Sequence, residues 1–61
     1  MRGWLIAKRK EMNKTQKEVA DISKISRSMY AMIEHDERNP SVMVAKNIAR
    51  ALSIDWTLFF E

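Results

Sequence analysis

The chain has 61 residues, a net charge of +3 and no cysteine, and 46% of its residues are hydrophobic. This length predicts one domain over residues 1–61. The lack of cysteine excludes disulfides and thiolate sites, and the single histidine cannot supply a zinc site. No apolar run reaches the roughly 18 residues of a membrane span, so we expect a cytoplasmic protein with no metal, no cofactor and no membrane contact.

The first predicted element is a helix from Trp4 to Met12. Leu5 and Met12 lie at helical spacing, and charged residues stand between them. Asn13 follows, and asparagine tolerates the left-handed backbone of a helix end better than most residues. The first helix is therefore expected to end there.

A second helix is expected to begin after Thr15. The hydroxyl of this residue can accept a hydrogen bond from the first turn, and Glu18 stands three residues on to complete a capping box. Val19, Ala20 and Ser23 share one helical face. Ala20 falls where the crossing of two short helices leaves room only for a small side chain.

A third helix is expected to run, after a short turn, from a cap at Ser26 to Glu34. Met29, Tyr30 and Ile33 form its inner side. A helix braced from behind, with a polar and basic front, fits the major groove of DNA. The residues of this front are Arg27, Ser28, Ala31 and Met32.

The rest of the chain predicts two more helices. Pro40 keeps the residue before it out of the helical region, and Ser41 can cap the fourth helix. Asp55 can cap a last short helix from Trp56 to Phe60. The chain is therefore predicted to be all-α, with five helices. The core stripe of the fourth helix is expected to be Val42, Ala45, Ile48, Ala49 and Leu52.

Short motifs at ordered spacings occur through most of the chain, from Leu5 to about Phe60. They are Thr15-Gln16, Val19-Ala20, Ile25-Ser26-Arg27-Ser28, Ile33-Glu34 and Arg38-Asn39-Pro40-Ser41. This set resembles the phage-repressor (Cro/XRE-type) helix-turn-helix proteins. The resemblance implies a compact five-helix lambda-repressor-like bundle with a central helix-turn-helix, in a bacterial or phage-encoded protein associated with the nucleoid.

The resemblance also implies a sequence-specific regulator of transcription that binds double-stranded DNA. We expect a repressor that inserts the helix starting near Ser26 into the major groove of a near-palindromic operator. Bases are then contacted by Arg27, Ser28 and Met32. The alternatives are a phosphate contact for Arg27 and no contact for Met32, while Tyr30 is expected in the core. Phosphate contacts are expected from Gln16, Lys17, Lys24, Ser26, Met29, Arg38 and Asn39.

Two structural roles follow from the same resemblance. Arg9 is expected to pair with Glu34 and to tie the first helix to the third, with a solvated Arg9 as the alternative. A homodimer, at least on DNA, is expected to form through the C-terminal helices. Its candidate residues are Ile54, Asp55, Trp56, Phe59 and Phe60, and burial of Trp56 and Phe59 in the core is the alternative.

The chain departs from the family at several turns. Four positions often filled by glycine carry Asn13, Lys24, Asp36 and Ser53. A left-handed backbone costs a non-glycine residue roughly 1 kcal/mol, so Lys24→Gly is expected to stabilise the fold. In addition, Ser23 and Lys14 stand where apolar residues are usual.

Functions other than DNA binding have less support in the residues. An enzyme is not expected, because His35 lies in a polar turn without a nucleophile or a glycine loop, and no ligand pocket is indicated. An antitoxin-like or other protein-interaction module is the alternative, since one fold serves several functions. Trp4, Trp56, Phe59 and Phe60 then form either core or a docking patch.

Overall fold

The computed structural model describes all 61 residues. The elements in chain order are α1 (Gly3–Glu11), α2 (Gln16–Ser23), α3 (Arg27–Glu34), α4 (Val42–Leu52) and a 3₁₀ helix (Trp56–Phe60). The all-α prediction is confirmed, but the count of five helices is corrected to four α-helices. The last segment has the expected bounds and is a 3₁₀ helix, in which the Leu58 N–H bonds to the Asp55 carbonyl three residues back.

Side-chain caps begin every helix except α1, and they lie at the predicted residues. The Thr15 hydroxyl accepts a hydrogen bond from the Glu18 N–H at 3.1 Å, and the Glu18 carboxylate accepts one from the Thr15 N–H at 2.8 Å. This capping box fixes the start of α2. Ser26, Ser41 and Asp55 cap the three later helices through their own side chains. Each such cap contributes about 1 kcal/mol to stability.

The four turn positions that lack glycine all have a left-handed backbone. The angle φ is 57° at Asn13, 62° at Lys24, 65° at Asp36 and 56° at Ser53. The expected left-handed turns are therefore present. For residues other than glycine, this conformation brings Cβ close to the following carbonyl oxygen, and asparagine offsets part of that cost.

Replacing Lys24 with glycine is expected to raise the free energy of unfolding by about 1 kcal/mol, because it removes the left-handed strain. The Lys24 side chain is exposed and makes no hydrogen bond, so nothing else is lost. Thermal denaturation followed by circular dichroism measures the gain. As a matched control, Ala7→Gly in the interior of α1 is expected to lose about 1 kcal/mol. An unchanged melting temperature for Lys24→Gly would contradict the strain argument.

The core lies where α2 meets α3 and α4, and the 3₁₀ helix closes it against α4. Ala20 has no exposed surface, as expected at a helix crossing. Val42 departs from the predicted stripe of α4 and is 50% exposed. It is the first residue of α4, and its neighbours Ser41 and Met43 are exposed as well. The buried core residues are Leu5, Val19, Ala20, Tyr30, Ile33, Ala45, Ile48, Leu52 and Phe59.

Ser23 occupies a core position at the end of α2. It is 1% exposed, and its hydroxyl has no hydrogen-bond partner. Its carbonyl accepts a hydrogen bond from Asn47 Nδ2 of α4 at 3.4 Å. Ile22 does not fill the place of the missing apolar side chain, because it is 51% exposed.

Candidate nucleic-acid interface

The first turn of α3 presents unpaired polar side chains. Ser26 caps the helix by accepting a hydrogen bond from the Met29 N–H at 3.0 Å. Arg27 and Ser28 follow with exposed side chains that make no hydrogen bond within the chain. Met32, one turn later, is half-buried, so part of its side chain reaches the surface. This turn can therefore bond to an external partner without breaking internal contacts.

A buried carboxylate fixes the other end of α3. Arg9 Nε of α1 donates to Glu34 Oε2 at 2.6 Å, and Gln16 Nε2 of α2 donates to Glu34 Oε1 at 2.9 Å. Arg9 Nη1 also donates to the Lys14 carbonyl at 3.1 Å, in the turn between α1 and α2. Glu34 is 1% exposed, so a single buried group ties α1, α2 and α3 together.

The protonation states at this cluster follow from burial and charge. Burial acts to raise the pKa of Glu34, but hydrogen bonds from Arg9 and Gln16 outweigh it and hold that pKa below its ordinary value. The bond to Glu34 raises the pKa of Arg9. The Tyr30 hydroxyl is buried without a hydrogen-bond partner. Burial raises the pKa of this phenol, and the Glu34 charge adds to the effect. Near neutral pH the ion pair is charged and Tyr30 is neutral.

Three residues expected at phosphates also serve inside the fold. Gln16 gives one amide hydrogen to Glu34 and keeps a second for an outside partner. The Ser26 oxygen accepts the capping bond, which leaves its hydroxyl hydrogen free to donate. Met29 is half-buried against the core and has no donor in its side chain. An approach of Met29 to a phosphate is therefore limited to van der Waals contact.

The other expected phosphate residues are exposed. Lys17 Nζ lies 2.8 Å from Asp21 on the same helix, and both side chains are largely in solvent. Lys24 stands in the left-handed turn before α3, and Arg38 and Asn39 lie in the loop after it. Exposed basic or donor groups therefore come directly before and after α3 in the chain.

Sequence reasoning missed Arg2. This buried arginine bonds to the end of α3 and to the loop that follows, through Ile33, Arg38 and Asn39. It also lies 3.3 Å from the Asp36 carboxylate. A single arginine near the start of a basic stretch carries no sequence signal for these contacts, because all its partners lie more than 30 residues away.

The candidate dimer residues differ in exposure. Phe59 is 5% exposed and belongs to the core, which corrects its assignment to an interface. The Trp4 ring packs against it edge-on, with ring centroids 5.0 Å apart. Phe60 is 50% exposed. The residues of this set that retain surface are Ile54, Asp55, Trp56 and Phe60.

One open cleft lies between the start of α1, the loop after α3 and the 3₁₀ helix, with a volume of about 510 Å³. The sequence did not indicate it. Its lining includes Trp4, Leu58 and Phe60, which are 38%, 37% and 50% exposed. No residue of α3 lines the cleft, so it is separate from the exposed turn of that helix.

Other classes of site find little support in the side-chain arrangement. No group of three or more histidine or acidic side chains is placed to hold a metal ion. His35, the only histidine, is exposed at the end of α3. None of the helices is long and apolar enough to cross a membrane.

The sequence is similar to known proteins along almost its whole length. The helix-turn-helix family model matches residues 5–59, which include all of α2 and α3. A Bacillus subtilis (strain 168) protein described as the uncharacterized HTH-type transcriptional regulator YqaF is 51% identical over 61 residues. That alignment covers 100% of this chain and 80% of the relative. No solved structure matches the chain.

Proposed function

The chain belongs to the Cro/C1-type helix-turn-helix family of transcriptional regulators, and from this premise we propose that it is a cytoplasmic repressor that binds a specific DNA sequence. In this proposal α3 enters the major groove with its first turn at the base edges, and α2 crosses the backbone. The main support is that Arg27 and Ser28 are exposed and unpaired on a helix whose far end is fixed by buried Glu34.

Base recognition is assigned to three side chains of α3. Arg27 is suited to donate two hydrogen bonds to the O6 and N7 atoms of a guanine, which would be worth about 1–3 kcal/mol of discrimination. Ser28 can donate to or accept from a neighbouring base. Met32 has no hydrogen-bonding group that reads a base, so its role is contact with a thymine methyl group.

Backbone binding is assigned to the groups around α3. Gln16 keeps a free amide hydrogen at the start of α2, where helix N–H groups favour an anion. Lys17 remains available, because an exposed ion pair such as Lys17–Asp21 is weak in water. Lys24, Arg38 and the N–H groups of Asn39 complete the set. The net charge of +3 adds a general attraction to DNA.

Replacing Arg27 and Lys17 separately with alanine is expected to give two different losses. Arg27→Ala should weaken binding by about 1–3 kcal/mol and relax preference at one base pair, because it removes base contacts. Lys17→Ala should weaken binding to all sequences alike and lower the slope of log affinity against log salt by about 0.9. Selection of bound duplexes from a random pool, followed by titration at several salt concentrations, measures both effects.

Arg50→Ala is the control for the change of charge. Arg50 is exposed in the last turn of α4, which packs on α2 and the 3₁₀ helix, and we expect little change in affinity there. The proposal is wrong if the wild-type chain binds duplex DNA without dependence on salt. It is also wrong in detail if Arg27→Ala selects the same sequences as the wild type.

A homodimer on a near-palindromic operator is part of the proposal. Two copies related by a two-fold axis would place their α3 helices about 34 Å apart, one turn of DNA. The exposed parts of Ile54, Trp56 and Phe60 are the proposed contact. Sedimentation at micromolar concentration should detect the dimer with operator DNA, and a strict monomer on DNA would rule it out.

A protein-interaction module is the second candidate function. It is favoured by the apolar side chains at the cleft, Trp4, Leu58 and Phe60, which remain exposed in the single chain. Such a module would bind its partner with little dependence on salt and would not select a DNA sequence. The titration that tests the Arg27 and Lys17 variants therefore also distinguishes the two functions.

A further inference from the structure

Arg2 connects the end of α3 with the loop between α3 and α4. Its Nη1 donates to the Ile33 carbonyl at 2.6 Å and to the Arg38 carbonyl at 3.2 Å. Its Nη2 donates to Asn39 Oδ1 at 2.7 Å. Nη1 also lies 3.3 Å from the Asp36 carboxylate. A single planar guanidinium therefore sets the position of three groups in this loop.

The Arg2 side chain is itself enclosed. It is 9% exposed, and its Cζ lies 5.8 Å from the centre of the Phe59 ring. Its main-chain N–H bonds to the Glu34 carbonyl at 2.7 Å. The guanidinium therefore makes its hydrogen bonds within the protein, and Arg2 also lines the open cleft beside the 3₁₀ helix.

Arg2 also determines which groups of the loop face outward. Asn39 Oδ1 accepts from Arg2, whereas the amide nitrogen Nδ2 makes no hydrogen bond within the chain and remains free to donate. The Arg38 carbonyl is directed to Arg2, whereas the Arg38 side chain is exposed and makes no internal bond. The free groups of Arg38 and Asn39 are hydrogen-bond donors, which suit an anionic partner, whereas the carboxylates of Asp36 and Glu37 are exposed in the same loop.

We propose that Arg2 is a positioning residue for DNA binding: it holds the loop so that Arg38 and Asn39 meet the phosphate backbone. The inference rests on the proposed function and adds to it a residue that does not touch DNA. The N–H groups of Glu37 and Arg38 bond to the Met32 carbonyl at 2.9 and 3.3 Å. Asn39 has no comparable bond, so Arg2 is its main tie to the fold.

The test replaces Arg2 with methionine, which keeps an apolar stem near Phe59 and removes every donor. Affinity is measured by fluorescence anisotropy over a range of salt, using a duplex selected by the wild-type chain. The temperature is one at which circular dichroism shows each variant folded. Arg2→Met is expected to bind about tenfold more weakly and to lower the salt slope by about one, because the loop loses its contact with a phosphate.

Three further variants separate positioning from a loss of stability. Ile48→Val removes one methyl group from the core of α4 and is expected to leave affinity and salt slope unchanged. Arg38→Ala is expected to weaken DNA binding when it is made in the wild type. It should have little further effect in the Arg2→Met variant, because there the Arg38 side chain is no longer held in position. Arg2→Lys keeps the charge but cannot reach all the acceptors, so its affinity for DNA should lie between those of the wild type and Arg2→Met. It takes the place of Arg2→Met if the latter fails to fold.

The outcomes are distinguishable. The inference is overturned if folded Arg2→Met binds DNA with the affinity and salt slope of the wild type. It is also overturned if the losses of affinity from Arg2→Met and Arg38→Ala are additive. Either result leaves the proposed function intact. Absence of salt-dependent DNA binding by the wild-type chain would overturn the proposed function and this inference together.

Discussion

Removing either charge of the Arg9–Glu34 pair is expected to cost about 3–5 kcal/mol of the free energy of unfolding. The two side chains are 13% and 1% exposed, and Arg9 Nε lies 2.6 Å from Glu34 Oε2. Glu34→Gln leaves the guanidinium without its carboxylate, and Arg9→Met leaves the carboxylate without its main donor. Because whole domains are stable by only about 5–15 kcal/mol, each variant should lose a large part of its stability. Urea denaturation followed by circular dichroism measures the loss.

Two controls show whether the loss comes from an uncompensated charge. The double variant Arg9→Met with Glu34→Gln has neither charge and is expected to recover much of the stability, since the amide oxygen that replaces the carboxylate can still accept from Gln16. Lys8→Met breaks the exposed pair with Glu11 on the same helix and is expected to change stability by less than about 1 kcal/mol. A double variant as unstable as the sum of the single variants would contradict the argument.

The pH dependence of stability follows from the lowered pKa of Glu34. Because the folded pKa lies below the unfolded value of about 4.3, the pair contributes its full stabilisation above that pH. The contribution is lost as pH falls through the lowered folded value. The wild type is therefore expected to lose more stability than Glu34→Gln when the pH of a urea titration is lowered from about 6 toward about 3.

Tyr30→Phe is expected to leave stability at pH 7 unchanged or slightly raised, and to make the protein about 2 kcal/mol more stable than the wild type near pH 11.5. The hydroxyl is buried without a partner, and burial raises the pKa of Tyr30. The folded state therefore keeps the phenol neutral, while the unfolded chain ionises above about pH 10. The stability present below that pH is lost at about 1.4 kcal/mol per pH unit as pH rises toward the folded pKa.

The wild type and Tyr30→Phe should be compared by urea denaturation from neutral to alkaline pH. The two proteins differ only at this side chain, so the difference between the two curves isolates Tyr30. It is the only tyrosine, and its ionisation can also be followed by ultraviolet absorbance. Parallel curves would contradict the raised pKa. A clear loss of stability at pH 7 would show that the hydroxyl bonds to the neighbouring ion pair.

The features of this fold that were predictable from the sequence are local. The caps at Thr15, Ser26 and Ser41 each bond to an N–H group three residues away, so they can be inferred without knowledge of the fold. The left-handed turn at Lys24 lies where the helical spacing of apolar residues is interrupted, so it was also predictable. The exposed front of α3 follows from helical periodicity once its start at Ser26 is known.

The features that were missed depend on contacts between distant parts of the chain. Arg2 is buried by groups more than 30 residues away, and nothing in its own neighbourhood indicates this. The periodicity of α4 identifies which face of this helix points inward. It does not show how far along that face the neighbouring helices extend, and Val42 lies beyond the part that they cover. The sequence leaves Phe59 open between core and interface, and the packing of the distant Trp4 ring against it decides for the core.

The sharing of one carboxylate by three helices has a consequence for how this protein can vary. Because Arg9 holds Glu34 from α1, a substitution at Arg9 is expected to change how α3 is held without altering any of the side chains proposed to contact DNA. We therefore expect that variants with altered operator choice include changes behind the contact surface. Libraries built to change the specificity of this protein should include these supporting positions.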